Sequence, residues 1–207
     1  MLTERAVRTV FLAIVAVSVM LGAPASAQAQ VAYEEGRVKA AFLVRFGQFI
    51  DWPAEAFKAS EGAFVIGVIG SPPVFEGLKQ ITGNRAAPGR AVIAYALKNA
   101  SDLPHLHVLF VGASEKERMA QHVASIAGRP VLVVGEWDEA IAQGASINFM
   151  LIERRVRFEI ALDAAQKAGL VVSSRLLSVA ARVHRGDLRP AVLLAGRHPF
   201  GRFYRTP

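Results

Sequence analysis

Residues 63–70 read AFVIGVIG and run directly into Ser71-Pro72. An apolar run of this length that is bounded by a glycine is a buried strand. The serine that follows can cap a helix, and the proline can occupy its first turn towards Ile81. A strand delivering straight into a helix is the unit of an α/β fold, and the rest of the body repeats it. Upstream, Glu34 to Ile50 sets Val38, Ala41, Phe42, Phe46, Phe49 and Ile50 three and four apart, an amphipathic helix that Asp51-Trp52-Pro53 ends. Downstream, Gly83 to Gly89 reads as a loop, Arg90 to Leu97 and His107 to Val111 as strands, and Ser114-Glu115-Lys116-Glu117 as a capping box opening a helix to Ala127. A strand over Val131 to Gly135 and a short helix over Asp138 to Gln143 follow. Two strands then turn at Glu153-Arg154, with Val156, Phe158 and Ile160 alternating against Arg155, Arg157 and Glu159. Helices over Leu162 to Lys167, stopped by Gly169, and over Ser174 to Val183 complete the body. Ser173 and Ser174 are the expected caps of the last one. The order predicts a single α/β domain with a mixed, mostly parallel sheet, helices on both faces and a late β-hairpin.

Ahead of the body, Val10 to Leu21 is an apolar run, broken by Ser18 alone, that follows Arg5 and Arg8 and is closed by APASA. It is shorter than the roughly 18–20 residues that span a bilayer, and Ala25-Ser26-Ala27 supplies a small-x-small cleavage pattern. Residues 1–27 are therefore expected to be a secretory signal peptide cut between Ala27 and Gln28, the alternative being an uncleaved anchor. Export places residues 28–207 outside the cytoplasm, away from the nucleotide pools that kinases and dehydrogenases need. The chain has no cysteine, which excludes disulfides, a thiol nucleophile and a lipoprotein anchor. With no later apolar run of spanning length, a soluble periplasmic product is expected.

The net charge is +7 over 207 residues, but the segment from Arg185 onward carries five Arg against Asp187 alone. The body of residues 28–184 is thus nearly balanced, and the basic character does not describe a nucleic-acid-binding face. Residues 185–207, rich in Pro, Gly and Arg, read as a poorly ordered tail, or as a weak contact to anionic lipid with Phe200, Phe203 and Tyr204 adding apolar grip.

Several blocks in order carry a family likeness. Val38-Lys39-Ala40-Ala41-Phe42-Leu43, then Phe49-Ile50-Asp51-Trp52-Pro53, Val108-Leu109-Phe110-Val111, Val156-Arg157-Phe158-Glu159-Ile160, and Ala168-Gly169-Leu170 with Ser173-Ser174-Arg175-Leu176-Leu177 resemble the YfiR family from about Glu34 to Val183. The resemblance implies a periplasmic, non-catalytic α/β protein, forming a homodimer, that binds the periplasmic region of a membrane-bound diguanylate cyclase and represses cyclic di-GMP signalling and biofilm formation. It marks Phe42, Phe49, Pro53, Phe158, Gly169 and Leu177 as motif residues. Two positions depart from the family pattern. Leu106 stands where a cysteine is common, which excludes redox control by disulfide, and Ala161 stands where asparagine is common.

Read residue by residue, no catalytic pattern of the His-Glu-x-x-His, Gly-x-Ser-x-Gly or Ser-x-x-Lys kind occurs, and neither an enzyme nor a cofactor is expected. His105 and His107 could share a strand face around a metal, but the nearby sequence offers no third ligand, so no metal is expected. Gly70 and Ser71 form a candidate turn for an anion or small ligand, the basis of an alternative reading as a periplasmic small-molecule-binding protein. Trp52 is either a partner anchor or a lid on its own core. Arg157 and Glu159, expected on the outward face of the hairpin, are the remaining candidates for partner binding.

Overall fold

In a computed structural model of the chain, the residues described are 24–84 and 90–186. Most of the expected signal peptide, the loop residues 85–89 and the tail from residue 187 lie outside them. Helix α1 (Pro24–Phe49) leads into the two-residue strand β1 (Ile50–Asp51), a 3-10 turn (Ala54–Ser60) and strand β2 (Phe64–Ile69). Next come α2 (Pro72–Asn84), β3 (Val92–Ala96), β4 (Val108–Val111), a 3-10 turn (Ala113–Arg118) continuing into α3 (Met119–Ser125), and β5 (Leu132–Gly135). The hairpin β6 (Ile147–Ile152) and β7 (Arg155–Ala161) precedes α4 (Leu162–Lys167), β8 (Val171–Val172), α5 (Ser174–Val179) and β9 (Arg182–His184). The main sheet runs β3-β2-β4-β5-β6-β7-β9 and is parallel at every neighbour but β6–β7, while β1 and β8 form a separate antiparallel ribbon. The expected mixed, mostly parallel α/β architecture is what the chain adopts.

Alternation along the strands decides which layer each side chain joins. Phe64, Ile66, Val68, Val108, Phe110, Leu132 and Val134 pack with Ala40, Leu43, Phe46, Val74 and Leu78 of α1 and α2. Their neighbours Val65, Ile69, Leu109, Val111 and Val133 point the other way, onto Met119, Ile126, Ala140 and Ile141. The first layer is helical. The second is thin, because the β5–β6 crossover is made of turns.

Several local expectations are corrected. The buried stripe of α1 is Gly36, Lys39, Ala40, Leu43 and Phe46, about one residue round from the expected one, and Val38 is 44% exposed. The reason is the crossing with α2: a Cβ on Gly36 would lie 2.6 Å from the Pro73 carbonyl carbon, and one on Gly77 would lie 3.0 Å from the Ala40 Cβ. Small residues set the closest approach of two helices, and hydrophobicity does not mark them. Helix α2 runs on to Asn84, through the start of the expected loop. The capping box at Ser114 does not form, since the Ser114 hydroxyl donates to the Gly70 carbonyl (2.9 Å) and the turn starts one residue earlier, at Ala113 with Gly112 before it. Residues 138–144 are turns in place of a helix, closed by Gly144 at φ 106°. The last helix ends at Val179, and Arg182–His184 pairs as an edge strand, its Cα partners on β7 running from Glu159 to Ala161. Ser173 does cap that helix, its hydroxyl accepting from the Leu176 amide at 3.3 Å.

Candidate functional site

The β6–β7 hairpin pairs along six residues, from Ile147 opposite Ile160 to Ile152 opposite Arg155. Its neighbours reach only its root: β5 pairs with Ile147 and Asn148, and β9 begins opposite Glu159. The Phe158 carbonyl still accepts the Ala181 amide at 2.8 Å, but residues 149–152 and 155–157 project past both flanking strands, and no other strand of the described residues pairs with their outer edges. The turn is built by Glu153 and Arg154 at φ 50° and 60°, two left-handed residues in a two-residue loop, as a type I′ hairpin turn requires.

Root and tip differ in what they touch. At the root, Phe149 and Phe158 are 2% exposed and join Phe42 and Phe46 in one aromatic cluster, with Phe158 5.5 Å from both helix rings. At the tip, Leu151 and Ile152 are 57% and 43% exposed, and Arg154, Arg155 and Arg157 beside them are exposed too. Arg157 has no hydrogen-bond or ion-pair partner among the described residues. Ile152 shares a face with Arg155 and Arg157, while Leu151 points to the other face beside Val156. An apolar side chain flanked by guanidinium groups suits an apolar patch rimmed with carboxylates, and the strand edges of the tip can accept an added strand.

Glu159 does not share this outward surface. It is 4% exposed, and its carboxylate accepts from Asn148 Nδ2 (3.0 Å) and Arg182 (3.2 Å) and bonds the His184 ring (2.9 Å). Arrival of β9 covers it, which the sequence reading missed by making that segment helical. Burial alone would raise its pKa, but the hydrogen bonds from His184 and Asn148 and the charges of His184 and Arg182 outweigh burial and hold it below its ordinary value. Asn148 extends the network by accepting the Trp137 amide at 3.1 Å. Glu159 thus ties the edge strand to the hairpin root.

Trp52 packs against its own chain, edge-on to Phe64 at 5.3 Å and near Phe57 and His107. The His107 ring is fully buried and stacked on Phe57 at 4.4 Å, and its Nδ1 accepts the Val65 amide. Burial pushes its pKa down to about 4, with the Arg90 and His105 charges adding and the Ala56 backbone opposing. His105 is exposed, so the two histidines are not brought together; among the described residues no group of three or more His, Cys, Asp or Glu could hold a metal. The motif residues meet as a structural unit. Phe42 lies in the aromatic cluster, the Phe49 carbonyl accepts the Ser173 amide at 2.9 Å, Pro53 is the nearest neighbour of Gly169 (φ 72°), and Leu177 packs on the same core.

The strand ends at Gly70 and Ser71 lie where open α/β sheets bind ligands, at the point where strand order reverses. Here the chain fills that crevice itself. A Cβ on Gly70 would meet Ser114 Oγ and Glu115 Cγ at 2.6 Å, and Gly112 packs directly on the Gly70 carbonyl. Glu136 sits where an anion would, accepting the Ala113 amide at 3.0 Å, and Lys39 neutralises it at 2.6 Å while also pairing with Glu35. Burial would lower the Lys39 pKa, but the Glu136 charge and the hydrogen bonds to Glu136 and Glu35 hold it above its ordinary value.

Sequence reasoning missed this ion cluster and the exposed pair Leu151-Ile152. The second had a signal: after Asn148 the strand reads FMLI, apolar on both faces, whereas its partner strand alternates, so one face of the outer half of β6 had to find a cover beyond the hairpin.

A family model described as YfiR/HmsC-like matches residues 36–181. Among solved structures, the chain is similar to a conserved domain protein from Vibrio cholerae O1 biovar El Tor, with 12% identity and a TM-score of 0.45 over 61% of this chain. The match spans 57% of that structure's length, less than two thirds of it. Among the described residues no helix is long and apolar enough to cross a membrane.

Proposed function

Because the chain belongs to the YfiR/HmsC-like family, we propose that it is an exported regulatory protein, cut between Ala27 and Gln28, that docks through the tip of the β6–β7 hairpin onto the periplasmic region of a membrane-bound diguanylate cyclase. Family membership supports a periplasmic regulator of cyclase signalling. The observation that carries the docking reading is the hairpin itself: Leu151 and Ile152 stand exposed at the same tip as Arg154, Arg155 and Arg157, where no other strand among the described residues pairs with the outer edges of residues 149–152 and 155–157.

The mechanism is a shift of population. A regulator that binds one conformation of its receptor better than another moves the receptor towards it by the difference in affinity, and a stimulus that removes the regulator releases the output. Here the bound conformation is the inactive one, so docking lowers cyclic di-GMP and biofilm formation. In this reading Arg157 supplies charge to the contact, Glu159 and Trp52 act from behind it by holding the scaffold, and two copies of the chain act together. The filled crevice at Gly70 and Ser71 favours a protein partner over a small ligand.

The test is a pull-down from gently solubilised membranes with residues 28–207 as bait, comparing the unaltered chain with Leu151→Asp/Arg157→Ala. Recovery of a membrane cyclase by the first and its loss with the second is expected. Equal recovery by both, or recovery of no inner-membrane signalling protein, overturns the reading.

A further inference from the structure

On the thin side of the sheet a groove of about 750 Å³ runs between the end of α3, strand β5, the turns at 137–144 and α4. Val123, Ile126, Val133, Ile141 and Ala164 give it an apolar lining, and Arg129, Asp163 and Lys167 add charged groups of both signs. It exists because the β5–β6 crossover supplies no helix to cover this part of the sheet, leaving an apolar face with an empty place.

The chain itself leaves the described fold beside that place. A Cβ on Gly186 would lie 3.9 Å from the Asp163 carboxylate, its nearest neighbour. Another 21 residues follow, Asp187-Leu188-Arg189-Pro190 leading into the apolar run Ala191-Val192-Leu193-Leu194-Ala195. Leu193 is seven residues beyond the exit, so an extended chain carries it up to about 23 Å, ample to cross a groove of this volume. A segment tethered this closely is present at millimolar effective concentration, orders of magnitude above any free competitor of similar chemistry.

We propose that the run Ala191–Ala195 of this chain's own C-terminal segment occupies the groove, completing the second layer of the fold, with the Arg-rich stretch after it directed outward. The inference goes beyond the docking of the hairpin and does not depend on it. It gives the tail, which the family likeness does not cover, a structural task.

The absence of native cysteine makes a clean test. In the full exported chain, Leu193→Cys is combined either with Ala142→Cys, on the groove wall, or with Lys79→Cys, exposed on α2 against the opposite face, and disulfide formation under mild oxidation is timed. The groove pair is expected to close within one molecule at least tenfold faster than the control pair. Adding Val192→Asp and Leu194→Asp is expected to abolish that advantage while circular dichroism shows the fold retained. Equal rates for the two pairs overturn the proposal. Covalent dimers as the main product also overturn it, by assigning the groove to a second copy.

Discussion

The root and tip of the β6–β7 hairpin are built from the same two strands, yet they answer to different constraints. At the root, Phe149 and Phe158 are 2% exposed against two rings of α1, and Glu159 is enclosed by Asn148, Arg182 and His184. Two or three residues further out, Leu151 and Ile152 are about half exposed and the arginines beside them face solvent. Among the described residues no element covers the tip as α1 covers the root. The difference separates residues that make the fold from residues available to a partner, and substitutions along the hairpin should divide sharply into two behaviours.

Removing a root ring has the largest expected effect. Phe158→Ala deletes a side chain in contact with Phe42 and Phe46 and should cost about 3–5 kcal/mol of stability, read as a fall in the denaturant midpoint, with any loss of repression following from unfolding. A cost below about 1 kcal/mol would mean that the root is no more built-in than the tip.

Glu159→Gln tests the polar side of the root. Loss of a buried, charge-assisted acceptor should cost on the order of 1–3 kcal/mol at neutral pH. Because the folded-state pKa of Glu159 is lowered, its contribution is complete above the unfolded value of about 4.5 and disappears as pH falls through the folded one. The variant should therefore match the unaltered chain most closely in strong acid and differ from it most near pH 7, as measured by unfolding at stepped pH.

At the tip the pattern reverses. Leu151→Asp and Arg157→Ala should each change stability by less than about 0.5 kcal/mol, yet weaken binding to the membrane partner tenfold or more, which corresponds to about 1.4 kcal/mol. Titration of immobilised receptor region with each folded variant reads this directly. The smallest effect is expected in the turn. Replacing Glu153-Arg154, both at positive φ, by Asn-Gly should stabilise the chain by about 0.4–1 kcal/mol, visible as a small rise in melting temperature, while loss of the Arg154 charge weakens binding less than Arg157→Ala does.

The architecture was legible because the strands AFVIGVIG and VLFV are apolar throughout and the hairpin alternates, patterns that need no knowledge of neighbours. What was hidden depends on contacts between distant segments. Gly36 and Ala40 look neutral on a helical wheel but set the approach of α2. Arg182–His184 joins the sheet because Glu159 gives it buried partners, and alone it reads as the end of a helix. The exposed position of Arg157 followed from alternation, while the neighbouring Glu159 was placed on the wrong side of the surface for want of that edge strand. Trp52 and His107, visible as residue types that often carry function, turned out to pack on each other and on Phe57 and Phe64.

The central claim is that this chain acts by contact through the hairpin tip. The most direct measurement is cyclic di-GMP in cells holding a membrane cyclase with its periplasmic region intact, complemented with the unaltered chain or with Leu151→Asp/Arg157→Ala exported to the same level. The unaltered chain should hold the nucleotide low, and the folded tip variant should leave it at the level of cells lacking the protein. Full repression by the tip variant would contradict the account.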